Sequence, residues 1–328
     1  MKNLKKLGNL FVAMFLVFLL VACGGAKGTT ETTEITTEST TENMEEASGL
    51  NENKIIDREG NEVELPEKAD KIISLAPSIT ETLVNLGLAD KLIAVDKYSK
   101  EIEGVNPELQ VFDIMAPDTE NIVLLEPDII FGTGMSKSDG TDPFAPMVEM
   151  GTFVTVVPTS ENVQGIIEDI EFIGKVTKTE DRAKEIIDNY NKELNEIIEK
   201  IKGANLETGI PVYFEAAGEN WTFGGDVFLN DMLELLGAKN IFSEEKGWNE
   251  PSAEQVIEKN PAVILTNTEY IEDPIGEIKS RAGWEAIDAI KNDRVYFIDS
   301  SSSKRANENS IIAFKEMAKA IYPDLFTE

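Results

Sequence analysis

Apolar and polar positions along this chain change their period several times, and each change marks an element. A short alternation from Ile55 to Leu65 predicts a small hairpin around Glu59-Gly60-Asn61. The run Lys71-Ile72-Ile73-Ser74-Leu75-Ala76-Pro77-Ser78 then reads as an apolar strand closing in a turn. A helix should start near Ser78 or Thr80, carry Leu83, Val84 and Leu86, and stop at Gly87. Further strands at Leu92 to Val95, Ile129 to Gly132 and Val154 to Val157 alternate with helical stretches, the order of a parallel α/β sheet.

Between Asn162 and Lys202 the period lengthens. Ile186, Ile187, Tyr190, Leu194, Ile197, Ile198 and Ile201 recur at three- and four-residue steps, which predicts one amphipathic helix from Thr179 to Lys202, ended by Gly203. At 1.5 Å per residue it would run roughly 35 Å, long enough to join two lobes rigidly or to pack along one. The strand pattern restarts at Pro211-Val212-Tyr213-Phe214-Glu215-Ala216, and Leu229, Met232, Leu233, Leu235 and Leu236 form a helix stopped by Gly237.

Two segments match in spacing as well as type. Glu120-Asn121-Ile122-Val123-Leu124-Leu125-Glu126-Pro127-Asp128-Ile129-Ile130-Phe131 aligns without gaps on Glu254-Gln255-Val256-Ile257-Glu258-Lys259-Asn260-Pro261-Ala262-Val263-Ile264-Leu265. Each reads as a short helix, a proline break and a buried strand. Gly87 and Gly237 likewise each follow a Leu-rich helix and precede a lysine and an apolar strand. Helix-Pro-strand is a common unit, but two matches in one order on either side of the long helix favour two related lobes.

Composition narrows the chemistry. The 328 residues hold no histidine, which excludes His-ligated zinc or haem iron and the Ser-His-Asp triad. Lys and Arg number 30 against 61 Asp and Glu, a net charge of -31 that repels a nucleic-acid backbone. The single cysteine, Cys23, stands after Leu20-Val21-Ala22 at the end of an apolar stretch that follows Lys2, Lys5 and Lys6. That is the layout of a lipoprotein signal, with residues 1-22 as the signal peptide and a diacylglycerol on Cys23 anchoring the mature chain. The other reading, a short transmembrane helix, needs roughly 20 apolar residues. Residues 23-53, rich in Thr and Glu, read as a disordered acidic tether. The protein is expected at the extracytoplasmic face of the cell membrane, lipid-anchored, with an N-terminal lobe over 54-175, the long helix over 176-203 and a C-terminal lobe over 204-328.

The segment Ile72-Ile73-Ser74-Leu75-Ala76-Pro77-Ser78-Ile79-Thr80-Glu81, the Glu-to-Pro repeat in both halves and Asp293-Arg294-Val295-Tyr296-Phe297-Ile298 together resemble one family. It is that of the substrate-binding lipoproteins of ABC importers for iron-siderophores, haem and cobalamin, and the likeness runs from Ile55 to Leu325. The resemblance implies two Rossmann-like α/β lobes joined by one long rigid helix, the class III periplasmic-binding-protein fold, with a ligand cleft between the lobes and little hinge closure. It further implies a monomer with no catalytic residue, no cofactor and no resident metal. Its partners would be a small-molecule metal chelate and an ABC permease of the iron and B12 uptake class.

The resemblance places permease docking on Glu120 and Glu254. Two equivalent carboxylates at helix starts suit charge-assisted pairing at both lobes, and the alternative is that each only steadies its helix, worth about 0.3 to 1 kcal/mol. It places ligand contacts on Tyr98, Ile114, Met115, Thr133, Trp221, Trp248 and Arg305. Trp and Tyr offer rigid apolar area with a polar tip, and Arg305, in the polar stretch Ser300 to Ser310, offers a fork for an anionic chelate. Lys304 and Lys97 adjoin Arg305 and Tyr98, so a few cations should stand out in the cleft. For Trp221 and Trp248 core packing is the competing role. Ile114 and Thr133 stand where cobalamin binders of the family tend to carry tryptophan, so a ferric siderophore is the expected ligand, with cobalamin or haem as alternatives. Met115 and Met135 would offer haem only a thioether. A rival of another class is an extracellular hydrolase working with two carboxylates roughly 5 to 9 Å apart, for which no pair is singled out. A signalling or adhesion lipoprotein without transport is a third.

Overall fold

The computed structural model describes residues 53–137 and 142–327. The signal segment, Cys23 and the tether up to residue 52 lie outside the described residues, as do positions 138–141. A hairpin, β1 (Lys54–Ile56) and β2 (Glu62–Glu64), opens the fold and is held on the rest by Arg58, which donates to Asp169 at 2.6 Å and Glu168 at 2.8 Å. Then follow β3 (Ile72–Ser74), α1 (Pro77–Asn85), β4 (Leu92–Asp96), β5 (Gln110–Phe112), α2 (Thr119–Leu125), β6 (Ile129–Gly132), α3 (Ala145–Glu149) and β7 (Phe153–Val156). Two helices, α4 (Val163–Val176) and α5 (Glu180–Gly203), lead to the second half. It comprises β8 (Ile210–Glu215), β9 (Thr222–Phe223), α6 (Phe228–Leu235), β10 (Ala238–Asn240), β11 (Trp248–Asn249), α7 (Ala253–Lys259) and β12 (Val263–Thr266). The chain ends with α8 (Pro274–Ser280), α9 (Asp288–Lys291), β13 (Val295–Phe297), α10 (Ser300–Lys304) and α11 (Ser310–Ile321).

Among the described residues nine of the thirteen strands form two all-parallel sheets, ordered β5-β4-β3-β6-β7 and β10-β8-β12-β13, while β9 and β11 pair as an antiparallel ribbon. Every residue of β3, β6 and β12 is buried, which is why these strands appear in the sequence as unbroken apolar runs rather than alternations. The repeat is structural as well. Helices α1 and α6 both stop at a glycine with positive φ, Gly87 at 83° and Gly237 at 70°. Helices α2 and α7 both end in a left-handed residue, Glu126 and Asn260, directly before the proline that leads into the strand.

A single apolar layer runs from one sheet to the other. Ile72, Phe131, Ile170, Ile173, Tyr190, Val212, Phe214, Leu229 and Phe314 belong to one continuous cluster. Helix α5 contributes Ile186, Ile187, Tyr190, Leu194, Ile197 and Ile201 to it and packs on α4 and α11. Spreading the sheets by a hinge would bring this layer into water, at a cost of about 25 cal/mol per Å2 exposed.

Polar bonds exchanged between the halves reinforce it. Glu308, just before α11, is 7% exposed and accepts from Thr82 Oγ1 at 2.8 Å and Asn85 Nδ2 at 2.7 Å on α1. Burial pushes its carboxyl above the ordinary range, against these hydrogen bonds. A carboxyl raised in the fold keeps its proton there longer than in the unfolded chain. Its ionisation therefore lowers stability as pH rises from the unfolded pKa through the folded one. Glu308→Gln removes that titration, and Thr82, which also donates to Ser78 O, can accept from the new amide. The melting temperature of E308Q relative to wild type should rise as pH climbs from 4 to 7; a constant difference would show that Glu308 titrates normally.

Candidate ligand-binding cleft

Parallel sheets of this kind open a crevice at the carboxyl ends of their strands, where the strand order reverses. In the first sheet that point lies between β3 and β6, and in the second between β8 and β12. The two carboxyl edges meet. A cavity of about 180 Å3 is lined by Ala76, Pro77 and Ser78 after β3, Thr133 and Met135 after β6, and Lys304, Arg305 and Asn307 from the second half.

Met135 lines the cavity, and further aromatic and thioether side chains near the ends of the strands stand open to solvent. Tyr98 follows β4 and is 60% exposed; Met115 follows β5 and Met135 follows β6. In the second half, Trp221 and Tyr270 end the loops after β8 and β12, and Trp248, 48% exposed, sits on β11. Apolar groups of this size in loops after strands offer contact area to a ligand.

Each is held by its surroundings. The amide of Tyr98 donates to Asp96 Oδ1 at 2.8 Å, and Asp96, fully buried with its carboxyl pushed up by burial, also accepts from the Ser99 hydroxyl. Thr80 of α1 joins that hydroxyl at 3.0 Å. Trp248 pairs with Phe223 across the β9–β11 ribbon, the rings meeting edge-on at 5.8 Å. Tyr270 donates to Ala217 O and so closes the reversal point of the second sheet. The Trp221 loop turns through two left-handed residues, Glu219 and Asn220, and Asn220 accepts from Arg281 at 3.3 Å.

The cations in the cleft are paired. Lys97 meets Asp113 at 2.8 Å, Lys304 meets Glu269 at 3.1 Å, and Arg305 meets Glu81 of the first half. Of the cations expected there, Lys304 and Arg305 line the cavity. The stretch Ser300 to Ser310 is less of a loop than expected, because α10 and the start of α11 occupy most of it and Arg305 sits at the α10 C-cap. Ile114 is a further correction. It is 3% exposed, its carbonyl takes the Ser136 hydroxyl at 2.9 Å, and it gives a ligand no surface. Thr133 is nearly buried and lines the cavity. Sequence reading missed Tyr270 and the engagement of Glu81; for Tyr270 the signal was there, a loop directly after a fully buried strand.

Glu120 and Glu254 occupy equivalent places. Each is the second residue of a seven-residue helix and exposed. The caps match too: Asp118 accepts from Asn121 N at 3.2 Å and Ser252 from Gln255 N at 3.3 Å. The amide of Glu254 itself, then the Ser252 hydroxyl, hold the Glu254 carboxyl below the usual carboxylate range.

Comparison with known proteins places this architecture. A sequence model of the family described as periplasmic binding protein matches residues 72–302. The uncharacterized ABC transporter substrate-binding lipoprotein YvrC of Bacillus subtilis is 31% identical over 279 residues, covering 84% of this chain and 87% of that protein. The molybdate-binding protein MolA of Haemophilus influenzae is 24% identical over 310 residues, covering 86% and 88%. A solved structure of a possible iron-binding, periplasmic solute-binding protein from Staphylococcus epidermidis superposes with a TM-score of 0.68 at 29% identity, covering 78% of this chain and 100% of that one. With its two parallel sheets meeting at a cleft, as the sequence resemblance implied, the chain belongs to the periplasmic binding protein family and is the substrate-binding component of an ABC transporter.

Proposed function

We propose that this protein captures a metal chelate, a ferric siderophore, in the cleft between its lobes and hands it to a permease docked on Glu120 and Glu254, while a diacylglycerol on Cys23 holds it at the outer face of the membrane. The observation that supports the ligand reading is the set of exposed aromatic and thioether side chains in loops that follow strands of both sheets, Tyr98, Met115, Met135, Trp221 and Tyr270, with Trp248 on the neighbouring ribbon. Drug-sized ligands occupy pockets of roughly 300 to 1,000 Å3, so the cavity of about 180 Å3 serves as the floor and the chelate rests above it among these rings. A siderophore supplies all ligands to its iron, and a protein without histidine then needs to offer only shape and apolar contact.

Titration of the protein from Ser48 onward with ferric siderophores, haem and cobalamin, followed by tryptophan fluorescence, tests the reading. Saturable quenching by one ferric siderophore is expected, with binding about ten-fold or more weaker in Trp248→Ala, the order of 1.4 kcal/mol for a lost aromatic contact. Saturation by haem or cobalamin alone would move the ligand to that class. Silence from all three at micromolar concentration would end the metal-chelate reading.

A further inference from the structure

We propose that Glu81 is a specificity-determining residue: by occupying Arg305 across the lobe boundary, it sets the cleft to accept ferric chelates of zero or positive net charge and to turn away anionic ones. The proposal rests on the ferric-chelate reading above and narrows it.

Arg305 lines the cavity floor, where an unpaired guanidinium would be the natural anchor for an anion. Glu81 takes its Nη1 instead. That carboxylate does not swing freely, because Asn307 Nδ2 donates to it at 2.6 Å and Asn309 Nδ2 at 3.2 Å, so three residues of one half fasten a carboxylate of the other. The pair is largely buried, where charge interactions are screened least. Lys304, which also lines the cavity, pairs with Glu269, but as a half-exposed pair of little strength. An anionic chelate at Arg305 must therefore either leave the Glu81 pair intact and gain no counter-charge from the guanidinium, or displace Glu81 and strand its carboxylate among two amides. It must also approach a chain of net charge -31. A chelate without negative charge meets none of these costs. Iron(III) held by three hydroxamates is neutral, and ferrioxamine B, with its extra ammonium, carries a single positive charge. Iron(III) held by three catecholates carries three negative charges.

The test compares wild type, Glu81→Gln and Glu308→Gln, each first checked by thermal unfolding, with ferrioxamine B, ferric enterobactin as the tris-catecholate, and inorganic molybdate as a small dianion. Wild type should favour ferrioxamine B over the trianion by at least about ten-fold, and E81Q should shrink that ratio about ten-fold or more by tightening the trianion. E308Q, which changes the neighbouring inter-lobe bonds without touching Arg305, should keep the wild-type ratio. E81Q should also gain molybdate binding that wild type lacks, and the gain should vanish in the E81Q/R305A double variant. A folded E81Q with the wild-type ratio and no molybdate gain overturns the proposal, even if ferrioxamine B binds and the receptor reading stands. An equal change in E308Q overturns it too. If no ferric chelate binds any variant, the iron reading falls, and the molybdate arm alone decides the role of Glu81.

Discussion

Arg281→Met should destabilise the fold by about 3 to 5 kcal/mol, the loss typical of removing one partner from a buried ion pair. Glu215, the last residue of β8, is 1% exposed, and Arg281 grips it with two bonds of 2.6 and 2.9 Å. The same guanidinium holds Glu277 at 2.6 Å and lies 4.6 Å from the centre of the buried Trp284 ring. Methionine fills most of the volume but leaves the buried Glu215 carboxyl without its guanidinium partner. At roughly 2 to 4 °C per kcal/mol for a chain of this size, the melting temperature should fall by on the order of 10 °C. Adding Glu215→Leu to the variant should recover most of the loss, since the pair itself contributes far less than its breakage costs. A single variant that melts with wild type would mean that water reaches Glu215. Arg281 also bonds Asn220, so amide exchange over the Glu219 to Trp221 loop should quicken in R281M well below its melting point.

What the sequence disclosed follows burial. Strands buried on both faces, such as Ile129–Gly132 and Val263–Thr266, are continuous apolar runs, and the long helix Glu180–Gly203 repeats a seven-residue core face; all were legible within a residue or two. The three-residue strand Gln110–Phe112 at the sheet edge, with one buried residue, and the ribbon of Thr222–Phe223 with Trp248–Asn249 carry no periodicity long enough to detect. The candidate site was half legible for a related reason. Aromatic residues in loops after strands stand out singly, whereas the neutralisation of Arg305 depends on Glu81, 224 positions earlier, and only the meeting of two sheets joins them. Ile114 misled because position after a strand says nothing about the direction of the side chain.

Charge reversal of both Glu120 and Glu254 should cut uptake at least about 100-fold while leaving ligand affinity within two-fold, because close charge pairs at interfaces couple by roughly 1.5 to 7 kcal/mol. The two carboxylates lie at the same position of the same motif: cap, second helical residue, left-handed end, proline, buried strand. One apolar layer joins the lobes, and a permease with two equivalent basic sites that engages both glutamates at once would gain effective concentration from the second contact. Each single reversal should therefore lose less than half of the double variant's effect on a logarithmic scale. If the glutamates only steady their helix ends, arginine there costs about 0.3 to 1 kcal/mol of stability each and transport continues unchanged. Measuring ATP hydrolysis by the reconstituted permease with and without each variant separates these outcomes. Stimulation lost in the double variant, with chelate binding intact, places the glutamates at the docking face; stimulation within two-fold of wild type returns them to helix capping.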